Sequence, residues 1–563
     1  MINLICREDD WRYVFVTGDA SDIKSLEEYL NKIPQYQFLP TYTGPKRPEV
    51  FLHRTRGPKG GWVYWCHGGL WRQIVEWAGE NGAEIGRTVT NSFKYTPFKP
   101  SLDEFKKTVE EWGLTLEPRD YQVEAAWKIL CYRQSLSELA TRAGKTLIAY
   151  MVFRWLREKA GVRKILMIVP SIQLVKQGVE DMKQYGDFFQ SETVWARGES
   201  CACADLTIGT FQSLVNKLDR RSKKYDPSFF NGFDAVCVDE AHHLVCRSID
   251  KILSQPFMKD IKIKFGFTGT LPPRNTIDSF ACQSLMGPKI QEIKTIELVE
   301  KGFLARPEIT QVQIPHPMTD ELLDTYIKCG EYVCSSDKKE RVGGKLVKKM
   351  LPAGQREFTM TNEKELPLVL KAIKGKVSKA DYYEAIIKLC KGGSGLLNLE
   401  QMLVHRDHTR LDAMDRIIRG LDKNVIVFGH HVEYMRFLKK HFEEEFPGRR
   451  VMLITGSTSL KKRQETLDKM LESDDVILVA SYGCMATGIT FKRVDYAILA
   501  QSFKSGIINL QSIGRGLLKT SSKDKFVVYD LVDLWPTGRI KAHGAARQKL
   551  YKENKYPYQV VKL

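Results

Sequence analysis

Two clusters in this chain carry side chains suited to holding and cleaving a phosphate ester. The first is Leu139-Ala-Thr-Arg-Ala143-Gly144-Lys145-Thr146. Backbone N–H groups at a helix N-terminus cradle an anion, provided a glycine stands where a Cβ would block the approach. Gly144 supplies that gap, Lys145 could reach β- and γ-phosphates, and Thr146 could set its hydroxyl on Mg²⁺. The phosphate-loop pattern G-x-x-x-x-G-K-[ST] wants a glycine where Leu139 stands, so the stretch by itself also fits an ordinary helix start. The second cluster is Asp239-Glu240-Ala-His242. Asp239 suits Mg²⁺ held largely through water against the phosphates. Glu240 could orient or deprotonate an attacking water, and His242 could link nucleotide state to a neighbouring domain. Acids at a strand end are often structural, but this tetrad downstream of Gly-Lys-Thr is rarely accidental.

Two further pieces extend the chemistry. Arg119-Asp-Tyr-Gln122 lies just upstream of the loop. A glutamine amide can donate to and accept from an adenine edge, and arginine can stack on the ring. Far downstream, Gln511-Ser-Ile-Gly-Arg515 offers a cation. An ATPase of two lobes needs such a group from its second lobe to stabilise charge on the γ-phosphoryl, and Arg515 is the candidate.

The elements that must position these residues read as α/β. Lys164-Ile-Leu-Met-Ile-Val-Pro170, Leu206-Thr-Ile-Gly-Thr210, the stretch from Phe233 to His242, and Ile263 to Thr270 are apolar runs typical of buried parallel strands. Helices between them make a doubly wound sheet, whose ligands sit at the carboxyl ends of the strands. From about residue 296 the pattern restarts with Asn424–Phe428, Asp475–Ala480 and Asp495–Ala500, without a second phosphate loop. The expected organisation is a small N-terminal α/β domain over 1–112, a first α/β domain over 113–295 and a second over 296–534. The second holds an insertion at about 320–400, and a basic helical extension covers 535–563. In the N-terminal part, Trp11–Val16 reads as a strand and Asp22–Leu30 as a helix with Ser21 as its cap.

After that helix, basic and aromatic residues interleave: Tyr42, Lys46, Arg47, Arg54, Arg56, Lys59, Trp62, Tyr64, Trp65, Trp71 and Arg72. Such a surface can neutralise phosphates and stack on bases. An ordinary half-buried sheet also alternates core aromatics with surface charge, and the two readings stand even. The net charge of +18 favours a polyanionic partner, nucleic acid or an anionic membrane. No apolar stretch approaches a membrane span, and no signal peptide opens the chain, so cytoplasm is expected. The 12 cysteines form no C-x-x-C pair, which argues against zinc. His405 and His408 read as surface residues; Arg547, Lys549, Lys552 and Lys555 fall on an expected helix, for which docking against the second α/β domain and DNA contact are both open.

Taken in order, Arg-x-Tyr-Gln, Ala-Gly-Lys-Thr, a strand ending in proline, Asp-Glu-Ala-His, Thr268-Gly-Thr270 and Gln-x-x-Gly-Arg resemble the superfamily 2 DEAH-box-type DNA helicases. Within them the chain is similar to the UvsW-type branch-migrating helicases of T-even bacteriophages, over nearly its whole length. Val479-Ala-Ser-Tyr-Gly483 and Thr487-Gly488-Ile489 resemble that family's motif V, and Lys555–Leu563 its C-terminus. The resemblance implies two tandem RecA-like domains, ATP and Mg²⁺ as cofactors, and translocation on DNA, 3′ to 5′. Its implied substrates are forks, Holliday junctions, D-loops or R-loops in replication, recombination and repair. Thr268 and Thr270 would couple hydrolysis to DNA, and Gly488 would complete the site with Arg515. Pro170, Ser171 and Thr210 would track the strand. Single- and double-stranded DNA are the expected partners and a monomer the expected state. RNA–DNA hybrids and recombination or replication proteins stay open as partners, in the cytoplasm of a bacterial host. The family usually carries a second arginine where this chain has Leu518, followed by Lys519. An RNA or RNA–DNA hybrid helicase, or an annealing protein with a weakened ATPase, are the alternatives.

Overall fold

A run such as Ile165-Leu-Met-Ile-Val169 has no polar face and must be covered on both sides. The computed structural model describes residues 1–6, 10–31, 40–41, 44–45, 50–58, 60–86, 94–186, 188–189, 192–195, 205–245, 247–334, 339–342, 345–348, 366–391, 395–482, 493–501, 512–520 and 523–563. In it these runs become the centres of two seven-stranded sheets whose neighbouring strands are all parallel. The chain divides into two units, Met1–Lys294 and Thr295–Leu563.

In the first unit the strand order is Lys289–Ile293, Gln134–Leu139, Ile263–Thr268, Ala235–Val238, Ile165–Val169, Leu206–Thr210, Glu192–Trp195. The strand leading into the phosphate loop is polar for its position. Gln134 and Ser135 are fully buried and Ser137 nearly so. Their cost is met in part by hydrogen bonding, as where Gln291 Nε2 donates to Ser137 Oγ at 2.8 Å. Helix Lys145–Lys159 then begins at the loop and buries Leu147 to Phe153 without interruption.

Ahead of it, Ile2–Cys6, Tyr13–Gly18, Trp62–His67 and His53–Arg56 form an antiparallel sheet in that order. Helix Ala20–Asn31 starts earlier than expected, so Ser21 lies inside it and caps nothing. This sheet has no core of its own. Trp11, Phe51, Leu70 and Trp77 belong to one hydrophobic cluster with Leu136, Phe280 and Met286 of the first parallel sheet and its helices. Each such buried side chain contributes roughly 1.5–3 kcal/mol. Polar contacts reinforce the seam: Trp11 Nε1 donates to Lys259 O at 3.0 Å and Arg12 Nη1 to Gln255 O at 2.7 Å.

In the second unit the order is Arg450–Ile454, Val476–Ser481, Val425–Gly429, Tyr496–Leu499, Lys525–Leu534, Arg306–Pro315, Tyr558–Lys562. The helices expected between Leu366 and Cys390 are Leu368–Ile373 and Lys379–Cys390, and they share a core with helix Asp320–Cys334 and the sheet. A short antiparallel hairpin, Lys339–Val342 with Lys345–Lys348, lies within the inserted stretch.

The tail departs from expectation. Helix Arg539–Glu553 is followed by Tyr558–Lys562, which joins the sheet as an edge strand beside Arg306–Pro315. Of the two readings open for its basic residues, Arg547 takes docking. It is 2% exposed and bonded to buried Asp530, Nη2 to Oδ1 at 2.7 Å, with Tyr551 OH on the other carboxylate oxygen at 3.1 Å. His405 is likewise no surface residue: it is 8% exposed, stacked on Tyr434 and in contact with Gln501 at 2.8 Å.

Candidate active site

The loop after Leu139 is braced from behind. Gly144 has φ +82°, and a Cβ there would lie 2.0 Å from Gln122 Nε2, so only glycine fits on both counts. Gln122 is 5% exposed; its Nε2 donates to Ala143 O at 2.9 Å and its Oε1 accepts from Arg119 N–H at 2.9 Å. Tyr121 OH donates to the same Ala143 carbonyl at 3.0 Å, and Arg119 Nη1 reaches Tyr121 OH at 3.1 Å. A trans peptide is planar, so with the Ala143 carbonyl held rearward the Gly144 N–H points the opposite way. The amide expected to read adenine is thus engaged with the loop itself.

At the neighbouring strand ends the remaining groups converge. The ends of Gln134–Leu139, Ile263–Thr268 and Ala235–Val238 are adjacent in the sheet. Lys145 Nζ lies 4.0 Å from Glu240 Oε1. Asp239 accepts the Glu240 N–H at 2.9 Å. Burial, then the Glu240 charge, pushes the Asp239 carboxyl up to about 6. Glu240 has φ +51°, a left-handed backbone rare for a side-chain-bearing residue. His242 Nδ1 sits 3.3 Å from Glu240 Oε2 and 3.0 Å from Thr268 Oγ1. The Thr268 hydroxyl donates to Thr270 O at 3.0 Å and accepts from Thr270 N–H at 3.3 Å. With that hydroxyl proton committed, the network assigns the imidazole proton to Nδ1. Lys145, Glu240, His242, Thr268 and Thr270 therefore form one continuous polar chain.

Two carboxylates side by side, one raised by burial, are the arrangement a divalent cation relieves. Asp239 fits Mg²⁺ on that ground. Asp181 and Tyr185, which were not anticipated, lie near enough to Thr146 for its hydroxyl to influence their titration. Burial raises the Asp181 carboxyl to about 6, while Thr146 opposes the shift. No short motif contains Asp181; only the packing of its helix, Ile172–Tyr185, brings it here.

The next strand ends hold the residues expected to track nucleic acid. Pro170 and Ser171 follow Ile165–Val169, and Thr210 closes the adjacent strand in register with Val169. Ser171 Oγ caps helix Ile172–Tyr185 at Leu174 N, and Thr210 Oγ1 caps helix Phe211–Leu218 at Ser213 N. Thr210 is 4% exposed, so its hydroxyl serves the helix. In the N-terminal sheet, strand alternation sets Arg54, Arg56, Trp62 and Tyr64 on one face. Arg54 and Arg56 lie over the Trp62 ring at 4.8 and 4.9 Å, and Trp62 is 50% exposed. Trp65 points the other way and stacks on His53. Tyr42, Lys46, Arg47 and Lys59 lie outside the described residues.

In the second unit Arg515 is half-buried in the helical turn 512–516. Leu518 makes a backbone bridge with Leu304, and Lys519 Nζ pairs with Asp524 Oδ1 at 3.6 Å. Gly488 and Gln511 lie outside the described residues. His316, Asp407 and Asp533 also gather, donor atoms within 4.8 Å. Asp533 is taken up by Arg410, and Asp407 caps helix His408–Arg419, so this is an internal ion-pair network.

Residues 115–273 match the family described as "Type III restriction enzyme, res subunit", and residues 409–517 match "Helicase conserved C-terminal domain". The chain is 24% identical over 461 residues to the "ATP-dependent DNA helicase uvsW" of Enterobacteria phage T4, covering 79% of this chain and 76% of that one. It is 22% identical over 417 residues to the "DNA 3'-5' translocase XPB2" of Sulfurisphaera tokodaii, covering 73% and 80%. Among solved structures, that of T4 UvsW superposes with a TM-score of 0.42 at 21% identity, covering 100% of this chain and 99% of that one. That overlap is too loose to bear on function. Among the described residues no helix is long and apolar enough to cross a membrane.

Proposed function

We propose that this chain, a member of the superfamily 2 helicases, spends ATP to remodel branched DNA. The observation that carries the reading is the polar chain from Lys145 through Glu240 and His242 to Thr268 and Thr270. It links a phosphate-binding lysine to a strand end two places from Pro170 and three from Thr210. The match of residues 409–517 to a conserved helicase C-terminal domain, beside that of residues 115–273 to a restriction-enzyme res subunit, supports it.

The roles follow from the chemistry of each group. Lys145 and the N–H groups of Gly144 and its neighbours bind the β- and γ-phosphates. Arg119 and Gln122 flank the adenine, the latter on release from Ala143. Asp239 and Thr146 hold Mg²⁺, which when bound neutralises charge on the phosphate oxygens. Glu240 takes a proton from the attacking water. Arg515, with Gln511 and Gly488, supplies the cation on the γ-phosphoryl during turnover. His242, Thr268 and Thr270 transmit the change to Pro170, Ser171 and Thr210 on the DNA strand. Arg54, Arg56 and Trp62 grip the duplex or branch by phosphate contact and stacking.

DNA is preferred over RNA because two of the three similar curated proteins are named as DNA enzymes, the third being named only as an ATP-dependent helicase. Forks, Holliday junctions, D-loops and R-loops are the substrates proposed, in phage replication, recombination and repair. The test is ATP hydrolysis and strand separation on that panel, with RNA duplex and linear duplex as comparisons. Preference for branched DNA supports the reading. Preference for RNA, or tight branched-DNA binding without turnover, replaces it with one of the alternatives.

A further inference from the structure

Trp71, Arg72 and the stretch Lys94-Tyr95-Thr-Pro-Phe-Lys99 continue the interleaving of rings and cations past Trp62, and the roles assigned above leave them unused. They gather in the first unit. Lys94 Nζ lies 4.7 Å from the Trp71 ring centre, and Arg72 Nη1 donates to Lys289 O. Thr96 N–H donates to Cys131 O at 3.1 Å and Arg133 N–H to Lys94 O at 3.0 Å, which joins the stretch to the end of helix Asp120–Cys131. Tyr95 is thereby set beside Tyr132, their ring centres 5.4 Å apart. Trp127, on the same helix, is fixed by donating from Nε1 to Pro100 O at 2.8 Å.

These three half-buried rings, with Lys99 and Lys128, line a cavity of about 370 Å³. No acid lines it, and among the described residues neither lysine pairs with a carboxylate. Lys99 Nζ sits 3.9 Å from the Tyr95 ring centre, a contact of about 0.5–1 kcal/mol at an exposed site, and one that cancels none of its charge. The helix leads into strand Gln134–Leu139, and the phosphate loop opens at the other end of that strand. Its 6 residues, at about 3.3 Å each, put the cavity roughly 20 Å from Lys145. It therefore lies away from the carboxyl edge of the sheet, where ATP is expected.

Rings and cations together select the ligand. A bare anion has no use for three aromatic walls, and an apolar peptide leaves both lysines uncompensated. The volume is at the low end for ligand pockets and too small for a helix. One unit of a nucleic-acid strand supplies a flat base for the rings and phosphates for the lysines. We propose that this cavity captures a nucleobase of a single DNA strand, stacked on Tyr95, Trp127 or Tyr132, with its flanking phosphates on Lys99 and Lys128. The proposal rests on the reading of the chain as a DNA-remodelling ATPase and adds a strand contact remote from the ATP site.

The test uses the full chain and a single strand carrying 5-iododeoxyuridine, cross-linked by ultraviolet light and mapped by mass spectrometry. Adducts are expected on Tyr95, Trp127 or Tyr132. Tyr95→Ala is expected to bind the strand about 10- to 100-fold more weakly, and Tyr95→Phe, which keeps the ring, as the parent does. Changing Lys99 and Lys128 together to Gln should lower the salt slope of strand binding by about 1.4. ATP hydrolysis without DNA should be unchanged in all of them. Should Tyr95→Ala fail to fold, the cross-link map and the glutamine pair decide, since both lysines lie at the surface. The proposal is overturned if no adduct falls on the three rings, or if strand affinity and its salt slope are unchanged in the variants. Equal weakening of a blunt duplex overturns it too, as does a mononucleotide that binds the cavity as tightly as the strand. A parent that binds no DNA and hydrolyses no ATP overturns the proposed function instead.

Discussion

Thr268→Val is the sharpest probe of the link between hydrolysis and movement. Valine has nearly the shape of threonine, so little packing is lost, while the hydroxyl disappears. Thr268 is 0% exposed. Its oxygen accepts from His242 at 3.0 Å and from Thr270 N–H at 3.3 Å, and it donates to Thr270 O at 3.0 Å. Thr270 is half-exposed and can turn to water. His242 keeps only Glu240, at 3.3 Å. One buried donor left poorly satisfied, plus two weakened backbone partners, amounts to about 2–3 kcal/mol. Thermal melting should show that loss in the transition of the first unit. The functional effect is expected to be separable: hydrolysis without DNA within a few-fold of the parent, and base pairs opened per ATP down by at least about tenfold. Both are read in one stopped-flow series with labelled forks and a phosphate sensor. If Thr268→Val opens as many base pairs per ATP as the parent, the polar chain carries no coupling and the reasoning is wrong.

Three other perturbations follow from the same structure. Gly144→Ala must adopt φ +82° and displace Gln122, whose amide lies 2.0 Å from the new Cβ. About 1 kcal/mol for the backbone and about 1 for each of two hydrogen bonds give a loss near 3 kcal/mol, with ATP binding abolished in a nucleotide titration. Trp62→Ala should leave the melting temperature unchanged, since the ring is half-exposed. It should weaken binding of a labelled fork by about 1–3 kcal/mol, and changing Arg54 and Arg56 to Gln should lower the salt slope of binding by about 2. Lys264→Met tests a buried amine that sits 5.1 Å from the Trp11 ring, its titration pushed down to about 7 from 10.5, chiefly by burial and then by Arg12. The folded state then binds fewer protons than the unfolded state between those values, so the parent should gain stability as pH rises from 7 to 10 and stay level below 7. The methionine variant should lose that dependence and gain on the order of a few kcal/mol at pH 7, measured by denaturant melts across pH.

The two candidate loops stand out in the sequence because the chemistry proposed for them demands local spacing. Gly144, Lys145 and Thr146 must be consecutive to wrap a phosphate, and Asp239, Glu240 and His242 must follow a strand of Ala235–Val238 type. The apolar runs gave the parallel sheets for the same reason: a strand covered on both faces cannot be polar. What stayed hidden depends on distant partners. Gln134-Ser-Leu-Ser-Glu-Leu139 does not read as an interior strand, because its polar groups are buried by residues far along the chain, of which Gln291 bonds Ser137. The shared core of the N-terminal sheet rests on Trp11, Phe51 and Trp77 meeting Phe280 and Met286. Arg547 looks like surface charge until Asp530 is brought beneath it. Tyr558–Lys562 lacks strand alternation because it is an edge strand with exposed residues on both faces. Backbone strain at Arg142 and Glu240 has no sequence signature, since it belongs to the turn rather than to the residue.

The most direct measurement is steady-state ATP hydrolysis by the purified chain, with and without a DNA fork, beside Lys145→Ala. The expected result is a rate that rises at least about tenfold on adding the fork and falls to background in the lysine variant, because the phosphates lose their principal side-chain cation. A parent rate indifferent to DNA, or a Lys145→Ala variant as active as the parent, would contradict the assignment of this site to DNA-driven ATP hydrolysis.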